Sequence, residues 1–172
     1  MRAQRQEIRR DDLLLIDLWG KLDKLESVYA DYTWMAYLGN TIPEKMVNVW
    51  HIVSGARDAG IAFVKANYPS KKIQGWQVDN VARGYITERG FGDFFIHRTG
   101  HNIGEDDHGT GANMDSLETK DERHLIANTC FSIEPGIYLP EFGVRTEVNV
   151  YVNEKQARVT GPTQTAILPL LA

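Results

Sequence analysis

Three apolar, strand-like runs of this chain each contain a single carboxylate, and this arrangement limits how the chain can fold. The carboxylates are Asp17 in LLLIDLWG, Glu134 in CFSIEPG and Glu147 in VRTEVNVYV. A buried carboxylate without a partner costs several kcal/mol, so each one needs a cation, a proton or a metal ion. A single case is usually an ordinary salt bridge, but basic residues near these runs are few, and Arg145 can pair with only one carboxylate. The three runs therefore predict a fold that brings them together around a shared metal.

Three histidines lie close together in the segment HRTGHNIGEDDHGTG, where glycines interrupt any regular helix. Each of them, His97, His101 and His108, can be read singly as a surface loop residue. Their clustering beside glycines, which let backbone approach closely, favours a functional site instead.

The composition excludes several classes of protein. A net charge of −4 gives no reason to expect nucleic acid, because no basic stripe follows the arginines of the first ten residues. No apolar run after that stretch is long enough for a signal peptide or a membrane span. The single cysteine, Cys130, excludes a disulfide framework within the chain and is typical of the reducing cytoplasm.

Periodicity predicts an α+β fold in one domain, residues 1–172, with helices on one face of a mainly antiparallel sheet. Helices are expected at residues 41–67, with Thr41 as the cap and Pro69 after the end, and at 76–89, with Gly90 following. Strands are expected at residues 13–18 (buried), 94–97, 129–134 and 144–152. Strict alternation in the last strand places Arg145 and Glu147 on one face and the valines on the other.

Taken together, four segments of the chain resemble the catalytic domain of the pita-bread metallopeptidases, the superfamily of methionine aminopeptidase, aminopeptidase P and prolidase. The segments are LLLIDLWG…SVYADYTW, HRTGHNIGEDDHG, FSIEPGIYLP and GVRTEVNVYV, and the resemblance extends over residues 12–152. The HxxxH pair, six intervening residues and a third histidine, together with FSIEPGIY and GVRTE, are more similar to the proline-specific branch. The fold implied by the resemblance is the pita-bread fold.

The resemblance implies a complete set of metal ligands and four catalytic groups. The implied ligands of two divalent ions are Asp17, Asp31, His101, Glu134 and Glu147. Besides its ligand role, Glu134 is the implied general base, and His108 is the implied donor to the scissile carbonyl. His97 is implied to face the substrate, and Arg145 to orient the ligand shell.

The implied reaction is hydrolysis of an Xaa-Pro peptide bond by a hydroxide that bridges two metal ions, in a homodimeric exopeptidase. Two divalent ions balance the charge of four carboxylates, and they lower the pKa of a shared water from about 15.7 to about 7. A shell of oxygens with one imidazole favours manganese, with cobalt or zinc as alternatives. A methionine aminopeptidase-like exopeptidase and a non-catalytic binding module or inactive fragment remain open.

Two departures from the family pattern accompany these expectations. Asp17 and Asp31 are fourteen residues apart, about three more than is usual, and KLDKLES reads as a longer hairpin turn that leaves the faces of both aspartates unchanged. The position of a further substrate histidine, on a strand before the first aspartate ligand, falls before Met1. We therefore expect a domain truncated at its N-terminus, without that strand and its neighbouring helices.

Overall fold

Two helices and nine strands account for the regular structure of residues 7–171, the part that the computed structural model describes. The helices are α1 (Glu44–Asn67) and α2 (Gly75–Thr87), and a turn of 3-10 helix, Gly92–Phe94, follows them. The strands are β1 (Leu13–Gly20), β2 (Ala30–Tyr37), β3 (Asn102–Ile103), β4 (Thr129–Ile133), β5 (Gly136–Tyr138), β6 (Gly143–Arg145), β7 (Val148–Val152), β8 (Ala157–Thr160) and β9 (Leu168–Pro169). Of the N-terminal arginines, Arg2 and Arg5 lie outside the described residues.

The strands form three small sheets rather than the one sheet expected. Their orders are β1-β2-β9, β3-β4-β7-β8 and β5-β6, and within residues 7–171 every strand pair is antiparallel except β2 with β9. The mainly antiparallel α+β class is therefore confirmed, while the single sheet was wrong.

The β1–β2 hairpin determines how the two aspartates are presented. Its register places Asp17 opposite Thr33 and Trp19 opposite Asp31. Opposite residues in antiparallel strands point to the same face, as do residues two apart along one strand. Both aspartates therefore lie on one face of the hairpin, so the longer turn has left their faces unchanged.

The exposure of β1 contradicts the expectation of a buried strand at residues 13–18. Ile16 is 45% exposed and Leu18 is 66% exposed. The reason is the position of β1 at the edge of its sheet: among residues 7–171, only β2 pairs with it. The apolar run indicated a strand correctly, but burial depends on neighbours that an apolar run cannot specify.

Both helices form close to where they were expected. Helix α1 ends at Asn67, as predicted, but it begins at Glu44 after Pro43, and no side chain caps it, so Thr41 is not the cap. Helix α2 is capped by reciprocal hydrogen bonds between Gln74 and Gln77. Gly90 follows it with φ +83°, a backbone conformation that glycine adopts at low cost.

The strand predicted at residues 94–97 is absent. The chain there leaves the 3-10 turn and runs on without regular structure. The backbone carbonyls of Phe95 and His97 accept hydrogen bonds from the side chain of Arg83 at 2.9 and 2.8 Å, so a helix side chain takes the place of a neighbouring strand.

The long strand predicted at residues 144–152 is divided into β6 and β7, which belong to different sheets. At the division, the Glu147 N–H donates to the Thr33 carbonyl at 3.2 Å, and Arg57 donates to the hydroxyl of Thr146 at 3.1 Å. These contacts to β2 and α1 turn the chain between the two strands. Alternation in sequence continues through the division and therefore could not reveal it.

The hydrophobic core has two clusters joined by α1. The first half of α1, with Val49 and Trp50, packs with Ile137 and Val144, and its second half, with Val64, packs against β4 and β7. In the described residues, neither helix has the combination of length and apolar character that a bilayer span requires.

Candidate metal and catalytic site

Three buried side chains from distant parts of the sequence form a compact group of potential metal ligands. Asp31 on β2, His101 beside β3 and Glu147 before β7 each present a ligand atom, and these atoms lie within 4.8 Å of one another. Their exposed fractions are only 5%, 4% and 1%.

Glu134, which follows β4, joins this group through His101. The Nε2 atom of His101 lies 3.3 Å from an oxygen of Glu134 and 3.3 Å from an oxygen of Asp31. The structure thus brings together four of the five ligands predicted from the sequence.

Asp17 lies in the same cavity but is held differently. Its carboxylate forms an ion pair with Arg145, and its side chain is 38% exposed. Arg145 also donates to the hydroxyl of Thr33 at 3.0 Å and lies 4.0 Å from Glu134. The guanidinium therefore contacts both sides of the acidic group.

A second layer of polar side chains holds the carboxylates in place. Thr33 donates to Glu147 at 2.9 Å, and Ser132 donates to Glu134 at 3.0 Å. Asn149 accepts the N–H of Asp31 at 3.0 Å and donates to the carbonyl of Asp31.

Sequence reasoning missed these three partners, although a signal was present. Each stands two positions from a ligand on the same stretch of chain: Thr33 after Asp31, Ser132 before Glu134 and Asn149 after Glu147. Residues two apart on a strand share a face, so a polar residue at that spacing is well placed to support the ligand.

The electrostatics of the group indicate that it requires a cation. Burial raises the pKa of Glu147 to about 9, and the charges of Glu134 and Asp31 add to this rise. Burial also raises the pKa of Glu134 to about 6, although His101 and Arg145 oppose it. One oxygen of Asp31 and one of Glu147 are buried without any hydrogen-bond partner. Buried acceptors of this kind are costly unless a cation or a donor satisfies them.

The donor set fits a divalent metal ion. It consists of carboxylate oxygens with one imidazole and no thiolate, a combination suited to manganese-like or zinc-like ions. The unpartnered oxygens of Asp31 and Glu147 are available as ligands without the loss of an existing hydrogen bond.

A cavity of about 430 Å³ opens beside this group. Its lining includes Asp17, Trp19, Asp31, His97, Arg98, His101, Asp107, His108, Glu118, Glu134 and Arg145. The exposed imidazole of His108 lies against that of His101, with 4.2 Å between ring centroids. Thus His108 is beside the predicted ligands and accessible from the cavity. Asp107, which the sequence analysis did not select, has one buried oxygen without a partner, and its signal was the acidic run EDDH.

His97 lies on another side of the cavity. Its Nε2 atom is 2.8 Å from the hydroxyl of Tyr138, and its Nδ1 atom is 2.7 Å from the Arg98 carbonyl. Burial lowers the pKa of His97 to about 4, so the ring is neutral at pH 7. The imidazole is therefore uncharged and held by two hydrogen-bond partners, so it forms a fixed part of the cavity wall.

The sequence of this chain is similar to that of known metallopeptidases. The family model described as "Metallopeptidase family M24" matches residues 1–154. The Xaa-Pro dipeptidase of Pyrococcus furiosus is 32% identical over 96% of the chain, and that of Lactobacillus helveticus is 33% identical over 81%. The chain covers 44% of the first relative and 35% of the second, so it spans less than half the length of either.

Solved structures show the same architecture. The prolidase of Thermococcus sibiricus matches with a TM-score of 0.81 at 29% identity, over 99% of this chain and 43% of that one. The X-Pro aminopeptidase of Thermotoga maritima matches with a TM-score of 0.79 at 28% identity, over 95% of this chain and 43% of that one. These likenesses confirm the pita-bread fold predicted from the sequence.

Proposed function

Because the chain belongs to metallopeptidase family M24, we propose that it supplies the metal site and catalytic groups of an exopeptidase that hydrolyses Xaa-Pro peptide bonds. The observation that carries this proposal is the buried group of Asp31, His101 and Glu147, with its unpartnered carboxylate oxygens. The proline preference is supported by relatives named Xaa-Pro dipeptidase and by structural neighbours named prolidase.

Five residues would hold two divalent ions in this proposal: Asp17, Asp31, His101, Glu134 and Glu147. Four carboxylates then balance two divalent charges. Asp17 would exchange its ion pair with Arg145 for a metal ion. When bound, the ions activate water as a nucleophile at neutral pH and polarise the scissile carbonyl.

The chain's own groups would move the protons. Glu134 lines the cavity, so its carboxylate is placed to act as a general base. The hydroxyl of Ser132, 3.0 Å away, orients its carboxylate. Glu134 would take a proton from the attacking water and pass it to the leaving nitrogen.

The two remaining histidines would act on the substrate. His108 is exposed beside His101 and can donate a hydrogen bond to the oxygen that becomes negative during attack. His97 would form a wall against the peptide, because its neutral ring is held by Tyr138.

Metal content and substrate choice test the proposal. The purified chain should bind two manganese ions and should split an Xaa-Pro dipeptide or release the first residue of a longer Xaa-Pro peptide. Cys130→Ser is the control, because Cys130 has no role in the site. A chain that cannot be loaded with manganese, cobalt or zinc refutes the metallopeptidase proposal. Equal or faster hydrolysis of Met-Ala peptides refutes the proline preference and favours the methionine aminopeptidase-like alternative.

A further inference from the structure

Helix α2 contains a buried ion pair that neither the metal group nor the proton transfers use. Arg83 donates to both oxygens of Asp79, from Nε at 2.9 Å and from Nη2 at 3.0 Å. The side chain of Asp79 is fully buried and that of Arg83 is 18% exposed. A buried ion pair adds little net stability in general, because desolvation offsets much of the attraction. Net stability alone therefore does not account for the other hydrogen bonds that this ion pair makes.

Asp79 connects two loops that line the cavity. Its carboxylate accepts the Thr99 N–H at 2.8 Å, the Ser116 N–H at 3.1 Å and the Ser116 hydroxyl at 2.6 Å. Thr99 follows His97 and Arg98, and Ser116 precedes Glu118, all of which belong to these two loops. Burial alone would raise the pKa of Asp79, but the donors outweigh burial and lower it, so the carboxylate remains charged.

Arg83 holds the backbone on the other side of His97. It donates to the His97 carbonyl at 2.8 Å and to the Phe95 carbonyl at 2.9 Å, and its guanidinium lies 4.2 Å from the centroid of the Phe95 ring. The backbone on both sides of His97 is thus fixed by a single ion pair, which in turn directs the imidazole towards Tyr138.

We propose that Asp79 and Arg83 are positioning residues for the substrate, acting through His97 in the wall of the cavity. This inference rests on the proposed function of the cavity. It follows that weakening the pair should reduce the affinity for peptide.

A second ion pair, in which the carboxylate is buried but the arginine is exposed, provides a control. Asp121 is paired with Arg123 and accepts the Asn113 N–H at 2.8 Å, so it also joins a buried carboxylate to an arginine and a loop. None of its hydrogen bonds within the described residues reaches residues 95–99. Loss of this pair should affect stability without moving His97.

The kinetic test compares Arg83→Lys with Asp121→Asn in the full chain saturated with manganese. Lysine keeps the charge but cannot donate to Asp79 and to two carbonyls at once. We expect Arg83→Lys to raise KM for an Xaa-Pro dipeptide about tenfold and to change kcat by less than about threefold. Asp121→Asn should leave KM within about twofold. If Arg83→Lys does not fold, Asp79→Asn, which keeps the volume of the side chain, takes its place.

A spectroscopic readout separates this inference from the proposed function. In the zinc-loaded chain, the imidazole NMR signals of His97, assigned with His97→Gln, should shift in Arg83→Lys and stay unchanged in Asp121→Asn. If the wild-type chain does not hydrolyse Xaa-Pro peptides but these signals shift, the proposed function fails and the positioning of His97 stands. Unchanged KM in an active folded variant, or unchanged His97 signals, overturns the inference.

Discussion

Both walls of the cavity carry carboxylates, but those of one wall are buried and that of the other is open to solvent. The inner wall, made of β2, β4, β7 and residues 95–101, carries four buried or largely buried ligand candidates supported by Thr33, Ser132 and Asn149. The hairpin wall, β1, carries Asp17 on a strand where Leu18 is 66% exposed and Trp19 is 60% exposed. A carboxylate in an apolar run was the signal for both walls.

The difference shows that the neighbours of a strand decide the state of its carboxylate. On the inner wall, buried carboxylates share His101, and two of their oxygens have no partner. On the hairpin wall, Asp17 is open to solvent and paired with Arg145. The unpartnered oxygens of the inner wall can therefore bind a cation without losing a hydrogen bond. Asp17 on the hairpin wall must first give up its ion pair with Arg145.

The largest effect should come from the inner wall. Glu134→Ala removes both a ligand and the proposed base, so hydrolysis of an Xaa-Pro dipeptide should fall at least about 10³-fold, within the range for loss of a general base. Calorimetric titration with manganese should also show weaker binding. Activity close to that of the wild type would exclude Glu134 from both roles.

A smaller effect is expected from the hairpin wall. Asp17→Asn should weaken binding of one manganese ion by about 100-fold and leave the other bound, because the inner wall retains its ligands. Asp23→Asn, which makes the same charge change in the turn of the hairpin, is the matched control. Two ions bound with unchanged affinity would mean that Asp17 serves only as the partner of Arg145.

Acid should destabilise the inner wall through His97. The pKa of His97 is lowered by burial to about 4 in the folded chain, while an exposed histidine titrates near 6.5. The unfolded state therefore binds more protons between these values, and the stability present above pH 6.5 should fall as the pH approaches 4, by about 3 kcal/mol. Urea unfolding as a function of pH measures this loss. The slope should be smaller in His97→Gln and preserved in the exposed-site control His124→Gln.

The smallest effect should be found at the apolar surface of β1. Leu18→Ser should change the free energy of unfolding by less than about 0.5 kcal/mol, because the side chain is already exposed. Val150→Ala, at a buried position of the inner wall, should cost about 2 kcal/mol. A large loss in Leu18→Ser would show that the hairpin wall is covered in solution.

Much of the fold could be predicted because local patterns determine it. The C-terminal ends of α1 and α2 follow from Pro69 and Gly90, which act within a few residues. The errors arose where distant groups intervene. Arg83 donates to the backbone carbonyls of residues 95 and 97, so these carbonyls are not available to a neighbouring strand. The Thr33 carbonyl accepts the N–H of Glu147, where the long predicted strand is divided.

The candidate site follows the same division. The lone carboxylates and the clustered histidines indicated Glu134, Glu147 and His101, and the family resemblance added Asp31. The structure brings these four residues together. Thr33 and Asn149 were missed because their hydrogen bonds join segments more than a hundred residues apart in the sequence. A period of two in the sequence indicates on which face of a strand a side chain lies. It does not indicate which groups the side chain contacts there.

The sequence by itself determined that the two helices and the strands β1 and β4 form, because these elements depend on local periods of 3.6 and two residues. Only the tertiary structure decided the partner of each carboxylate. Asp17 meets Arg145 at an open edge, whereas Asp31 meets His101 in the interior. The physical reason is that burial and the approach of a distant charge set the electrostatic environment of a carboxylate, and both arise only when the strands pack.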